Sequence, residues 1–324
     1  MSADPSVLLL SHQAEPFCTS RVAGALAARG AQVLRFDTDT FPQTLALSAT
    51  LEPTALPRLL LRSEPLRVDA VWLWRLWPAT FSPSLPREQA QTAVRESLTT
   101  LSGFLDLLGE AFWIDPPDAM AAAENKTRQL RLAQSIGLAI PPTLITADPQ
   151  AAQAFYAAHD GRVIAKLQRS LGYSMGGGTG LPTRLLRPSD LQALSGLSIC
   201  PMVFQKYIEK LYELRIAWVD GQAFVGALDG ARCGVDWRYE STASWQPHEL
   251  PTAVHEKLAA LMARLSLRQG ALDLIVTPEG EYVFLEVNPH GEWGMLERDL
   301  GLPISAALAD ALLRHSHTGH GGAR

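Results

Sequence analysis

The first hundred residues alternate two kinds of apolar pattern. Val7–Leu10, Ala31–Phe36 and Val68–Trp74 are short, nearly continuous apolar runs, as expected of strands covered on both faces. Between them, residues 17–29 place Phe17, Val22 and Leu26 at helical spacing and stop at Gly30. Residues 87–108 carry Val94, Leu98, Leu101, Leu105 and Leu108 on one helical stripe. This β-α-β order predicts an α/β unit with a mostly parallel sheet. The Asp115-Pro116-Pro117 step breaks the pattern and marks a first domain boundary.

The pattern then changes. Residues 119–136 read as one helix ending at Gly137, followed by a strand entry at Ile140-Pro141-Pro142. Val163–Gln168 is a strand that contains Lys166 and runs into Arg169–Gly180, where five glycines in nine residues (172–180) predict a mobile loop. Met202–Tyr207 is a strand of the buried type. Two hairpins follow, one around Asp220-Gly221 and one around Pro278-Glu279-Gly280-Glu281, with a helix at 249–267 between them. The C-terminal half is therefore α+β. A last helix begins at Pro303, and the tail from His315 to Arg324 reads as frayed.

The second hairpin carries the most chemistry. A turn at 278–281 sets Asp273 opposite Glu286, with Asn288 on the same face and Leu274, Val276, Val283, Leu285 and Val287 on the core face. Directly opposed carboxylates repel. Two readings resolve this: a divalent cation with oxygen ligands, for which Mg²⁺ is suited, or a solvated polar face with Glu286 paired to an arginine. Lys166 followed by a glycine-rich loop has the form of a phosphate cradle, although it is neither a Walker motif nor GxGxxG.

Composition narrows the classes. The chain has 324 residues, 47% hydrophobic and 19% charged, with net charge −5, which excludes a disordered chain and offers no basic footprint for nucleic acid. Three widely spaced cysteines, Cys18, Cys200 and Cys233, form no CxxC pair and fit a reducing cytoplasm. No apolar run is long enough for a signal peptide or a membrane span. Lysine supplies only 5 of the 28 basic residues, Lys126, Lys166, Lys206, Lys210 and Lys257. Against that background each lysine marks a place where a compact charge is worth examining.

Taken in order, these residues resemble the ATP-grasp superfamily: Lys126; Lys166 with its glycine loop; Gln205-Lys206-Tyr207-Ile208-Glu209-Lys210; Glu213 and Arg215; and Asp273, Glu286 and Asn288. The thirteen-then-two spacing of the last three is similar to that of D-alanine–D-alanine ligases. Residues 35–42 (RFDTDTFP), 204–215 (FQKYIEKLYELR), Asp236-Trp237-Arg238 and the run 284–293 (FLEVNPHGEW) through Ser305 resemble the graspetide, or microviridin-type, synthetases.

The resemblance implies an ATP-grasp fold with a pre-ATP-grasp domain at 1–117, a central lid domain at 118–200, a C-terminal domain with the metal site at 201–315 and a flexible tail at 316–324. It implies ATP and two Mg²⁺ as cofactors. Lys126, Lys166 and the loop residues Ser174 and Gly176 would hold phosphates. Gln205, Lys206, Tyr207 and Ile208 would bind the adenine, and Glu213 the ribose. Asp273, Glu286 and Asn288 would bind the metals, Arg215 would stabilise an acyl phosphate, and His290 would act as a base or cap the strand end. The implied activity is ATP-dependent closure of side-chain esters or amides in a ribosomal precursor peptide with leader and core, in the cytoplasm. A homodimer is compatible with it; nucleic acid and membrane partners are not implied.

Three positions depart from the resemblance. His290 and Glu292 stand where Asn and Gln are expected, and Arg75 is single where relatives carry paired arginines. A ligase for free amino acids or a protein terminus, and a non-catalytic binding module, remain alternatives. Several side chains have plain readings. Trp72, Trp74 and Trp77 read as core or sheet surface rather than a peptide-docking platform, Lys257 as a solvated helix lysine and Lys210 as surface or nucleotide contact. His315, His317 and His320 read as tail residues.

Overall fold

The computed structural model describes residues 4–15, 17–168 and 182–316. The apolar runs near the N-terminus form a parallel sheet in the order Gln32–Asp37, Ser6–Ser11, Ala70–Leu73, Phe112–Ile114. Val7 to Leu10 are buried on both faces because helices Phe17–Ala27 and Arg87–Asp106 flank the sheet, as parallel sheets require. The predicted stripe on the second of these helices is buried only from Leu101 onward; Leu98 is exposed. Trp72 and Trp74 are fully buried in the core, stacked on each other, whereas Trp77 lies beyond the strand and stacks on His12.

One antiparallel unit had no sequence expectation. Leu47–Glu52, Ala55–Leu61 and Glu64–Pro65 form a three-stranded sheet. Its second turn is made by Arg62 and Ser63, both at positive φ, with no glycine to announce it. The predicted helix at 119–136 is two helices, Pro117–Ala123 and Lys126–Ser135. Asn125 caps the second, its side chain accepting from the Arg128 N–H at 2.9 Å. The break places Lys126 in the first turn of a new helix.

The central sheet is antiparallel, in the order Arg184–Leu185, Val163–Lys166, Met202–Lys206, Thr143–Thr146, over its own apolar cluster that includes Val163, Leu197 and Phe204. The C-terminal sheet has five antiparallel strands in the order Gln246–Pro247, Gln222–Asp229, Tyr212–Val219, Gln269–Val276, Tyr282–Asn288. Asp220 and Gly221 make the first hairpin turn with φ of 44° and 90°. The second hairpin pairs Asp273 with Glu286 in the predicted register, but a bulge follows: Leu274 faces Phe284, and Ile275 faces Val283. The extra residue, Leu285, reverses the alternation. Phe284 therefore enters the core, Leu285 lines a cavity, and Val283 lies opposite the cavity-lining Ile275; both valine and leucine had been expected on the core face.

Helix Thr252–Arg264 matches the predicted 249–267 helix, and Ile304–Ser316 the predicted final one. That helix packs on Phe17–Ala27, tying the last described helix to the first. His315 is helical, not frayed, bonded to Asp220 at 3.1 Å and stacked on Phe112; His317 and His320 lie outside the described residues. Lys257 is exposed yet not merely solvated. Its ammonium donates to Gly137 O at 2.6 Å, at the C-terminal end of the Lys126–Ser135 helix. Among the described residues no helix is long and apolar enough to cross a membrane.

Candidate active site

A cavity of about 530 Å³ opens between the central sheet, the C-terminal sheet, the Lys126–Ser135 helix and the end of the Ala70–Leu73 strand. Lys126, Lys166, Gln205, Lys206, Tyr207, Ile208, Glu213, Arg215, Asp273, Glu286, Asn288 and His290 all line it. Ser174, Gly176 and the rest of the predicted loop fall in 169–181, outside the described residues.

Strand pairing organises the centre of the cavity. Arg215, Asp273 and Glu286 form one cross-strand row over three antiparallel strands. Arg215 Nη1 lies 2.9 Å from both Asp273 carboxylate oxygens, and Arg215 Nε and Nη2 donate to Glu292 O at 3.1 and 2.8 Å. Lys126 Nζ reaches Glu286 Oε2 at 2.8 Å and Asn288 Oδ1 at 2.9 Å, while Asn288 Nδ2 donates to Glu286 Oε1 at 3.0 Å. Each opposed carboxylate thus has its own cation, which is why the row tolerates them. Glu286 is paired to a lysine, and the arginine expected in the solvated-face reading belongs to Asp273 instead. On that face Asp273 is buried, while Glu286 and Asn288 are half-buried at the cavity wall.

The electrostatics follow. Burial works to raise the Glu286 pKa, but Lys126 and Lys166, with hydrogen bonds from Lys126 and Asn288, hold it far below the usual carboxylate range. Asp273 is pushed up by burial and by Glu286, against Arg215. Burial lowers Lys166, with Glu286 opposing and Lys126 assisting. The donor set of two carboxylates and an amide oxygen is all oxygen and partly pre-ionised, which fits a divalent cation shared with phosphates.

At one end Lys210 and Glu213 form a buried ion pair, which settles Lys210 as an interior residue. Burial raises Glu213 despite this partner. At the other end His290 Nδ1 contacts Trp74 O at 2.6 Å. A carbonyl only accepts, so Nδ1 carries a proton, and Nε2 lies 3.8 Å from Glu124 Oε1. Arg75 donates to Glu292 Oε1 at 2.6 Å and to His290 O at 3.0 Å, joining the N-terminal sheet to the 289–293 segment. Gly291 permits this packing, because a Cβ there would sit 2.4 Å from Ala271 Cβ and 3.0 Å from Arg215 Nη2.

Other lining residues had no role in the sequence reading. Asp236, noted only as part of a motif, binds Arg238 through both oxygens (2.8 and 2.6 Å) and accepts from Thr183 N at 3.0 Å. Glu124 carried no signal at all. Its position depends on the helix break at Asn125, and Arg128, three residues on, meets that cap only through its backbone N–H.

Known proteins resemble the chain over nearly its whole length. Residues 6–121 match the family model of the MvdD pre-ATP grasp domain. The structure is similar to macrocyclase MdnB from Microcystis aeruginosa MRC, at 43% identity and TM-score 0.82, over 95% of this chain and 99% of that one. It is similar to macrocyclase MdnC from the same organism, bound with precursor peptide MdnA, at 29% identity and TM-score 0.84, over 95% and 99%. The ATP-grasp ligase PsnB, complexed with a minimal precursor, Mg and ADP, matches at 25% identity and TM-score 0.77, over 96% and 98%. No curated protein sequence matches the chain.

Proposed function

Because the chain belongs to the graspetide-type family of ATP-grasp peptide macrocyclases, we propose that it uses ATP to close side-chain ester or amide bonds in a ribosomal precursor peptide. The observation that carries this reading is that one cavity holds Lys126, Lys166, the Arg215–Asp273–Glu286 row and Asn288 together.

In this reading Lys126 and Lys166 bind the ATP phosphates, compact charges suited to phosphate oxygens. Glu213, held by Lys210, binds the ribose hydroxyls. Residues Gln205 to Ile208 bind the adenine edge. The N–H groups of Lys206 and Tyr207 already donate within the protein, to Pro142 O at 3.0 Å and Arg162 O at 2.8 Å. In this reading those two N–H groups are not available to the base, and its partners are the carbonyls of the segment and Ile208. Asp273, Glu286 and Asn288 would hold Mg²⁺, for which we propose two ions; when bound, it supplies charge neutralisation to phosphate oxygens.

An acidic side chain of the peptide attacks the γ-phosphorus, the bond to the β-phosphate oxygen breaks, and ADP leaves an acyl phosphate. Arg215 stabilises the charge on its oxygens. A serine or threonine hydroxyl, or a lysine amine, then attacks the acyl carbon. His290 Nε2 takes the proton, phosphate departs, and one water equivalent is lost per bond.

The domain division at 1–117, 118–200, 201–315 and 316–324 belongs to the same proposal, with one adjustment favoured by pairing: Met202–Lys206 sits with the central sheet, so the second seam falls after Lys206. Free thiols at Cys18, Cys200 and Cys233 support a reducing, cytoplasmic setting. Leader and core recognition and a homodimer complete the proposal. The mechanism is tested by labelling the precursor's acidic side chains with ¹⁸O. One label per bond transferred to released phosphate supports the acyl phosphate, and unlabelled phosphate with product formation refutes it.

A further inference from the structure

Gln129 stands one turn beyond Lys126 in the same helix and is fully buried, at 0% exposure. A buried amide is costly unless its polar atoms are satisfied. Here Nε2 donates to Ala123 O at 2.6 Å and to Val287 O at 2.7 Å, and Oε1 accepts from Val287 N at 3.0 Å. Tyr282–Asn288 is the edge strand of the five-stranded sheet. Gln129 pairs with both backbone groups of Val287 much as a neighbouring strand would.

Val287 lies between Glu286 and Asn288. The same helix sends Lys126 to both of these side chains, at 2.8 and 2.9 Å, and to Val287 O at 3.3 Å. One helical turn therefore grips the backbone between Glu286 and Asn288 and contacts the side chain on either side.

We propose that Gln129 is a positioning residue for divalent-cation binding: it fixes the backbone from which Glu286 and Asn288 project and keeps that backbone in register with Lys126. It is not itself a cation ligand, because its amide is engaged with Ala123 and Val287. The inference rests on the reading of Asp273, Glu286 and Asn288 as cation ligands. It demands an amide. A carboxylate at this place would direct lone pairs at two carbonyls, and a methionine would leave the Val287 N–H unpaired in the interior.

The test uses the full chain as Gln129→Met and Gln129→Glu, two variants so that a folding failure of one does not end the experiment. Mn²⁺ affinity is measured by electron paramagnetic resonance with saturating ADP, ADP affinity by calorimetry without metal, and folding by thermal unfolding. Changes to groups that orient metal ligands typically weaken metal binding about 10–100-fold, and that loss is expected here with metal-free ADP affinity unchanged. Unchanged Mn²⁺ affinity in a folded variant overturns the proposal, as does a parallel fall in metal-free ADP binding. Glu286→Gln is the control. If it too leaves Mn²⁺ binding intact, the cation reading itself is wrong; if it abolishes binding while the Gln129 variants do not, only the positioning role fails.

Discussion

Arg215 and Asp273 are directly opposed on adjacent antiparallel strands, and one guanidinium nitrogen lies 2.9 Å from each carboxylate oxygen. Nε and one hydrogen of Nη2 donate to Glu292 O, which leaves the second Nη2 hydrogen for an oxygen in the cavity. Lysine cannot reproduce that geometry. Arg215→Lys is expected to fold and to lose about 100-fold in turnover. Arg215→Ala strands a buried carboxylate and is expected to cost about 3–5 kcal/mol of stability. Steady-state ATP turnover and denaturant unfolding separate the two outcomes.

Lys166 sits within the field of Glu286 and Asp273, partly desolvated. Lys166→Arg keeps the charge but replaces a compact ammonium with a wider, planar group, and is expected to lower turnover about 100-fold. Lys257→Arg keeps a donor for Gly137 O and should leave turnover unchanged. Lys257→Ala should cost about 0.3–1 kcal/mol in stability through the helix end alone.

Asp115 gives a pH signature. It is buried, and its oxygens accept from Arg268 N and Gln269 N, both at 2.9 Å, at the start of the strand that carries Asp273. Burial pushes its pKa up to about 7, only partly offset by those N–H groups. A carboxyl whose folded pKa exceeds its unfolded value stabilises the fold when protonated, and that contribution is lost as pH rises from about 4 through about 7. Asparagine stays neutral throughout. The thermal midpoint of Asp115→Asn relative to wild type should therefore rise steadily between about pH 5 and pH 8. Parallel curves for the two proteins would refute this.

Arg75 joins the N-terminal sheet to Glu292 at the end of the cavity away from Glu213. Arg75→Ala is expected to leave ADP affinity unchanged and to raise the KM for precursor peptide about 10-fold. Calorimetry with ADP and peptide-dependent ATP turnover give the two readouts.

What the sequence revealed depended on whether local chemistry decided the structure. The Asp273–Glu286 register was readable because Pro278–Glu281 is a turn in its own right and one face had to be apolar. The bulge at Leu285 was not, since nothing in Phe284-Leu285-Glu286 distinguishes an extra residue from plain alternation. The order of lysines and carboxylates pointed to the cavity, yet their partners were invisible: that Lys126 pairs with Glu286 depends on the helix restart at Asn125, which a continuous 119–136 helix had hidden. Hairpin 47–65 escaped because its second turn uses Arg62-Ser63 at positive φ, where glycine or asparagine is the usual signal.

The most direct measurement is mass spectrometry of a candidate precursor peptide incubated with the protein, ATP and Mg²⁺. The expected result is loss of one water per bond, dependent on ATP and abolished by Glu286→Gln. No mass change in any candidate precursor, with ATP-dependent ligation of free amino acids or of a protein terminus in its place, would contradict macrocyclisation as the function.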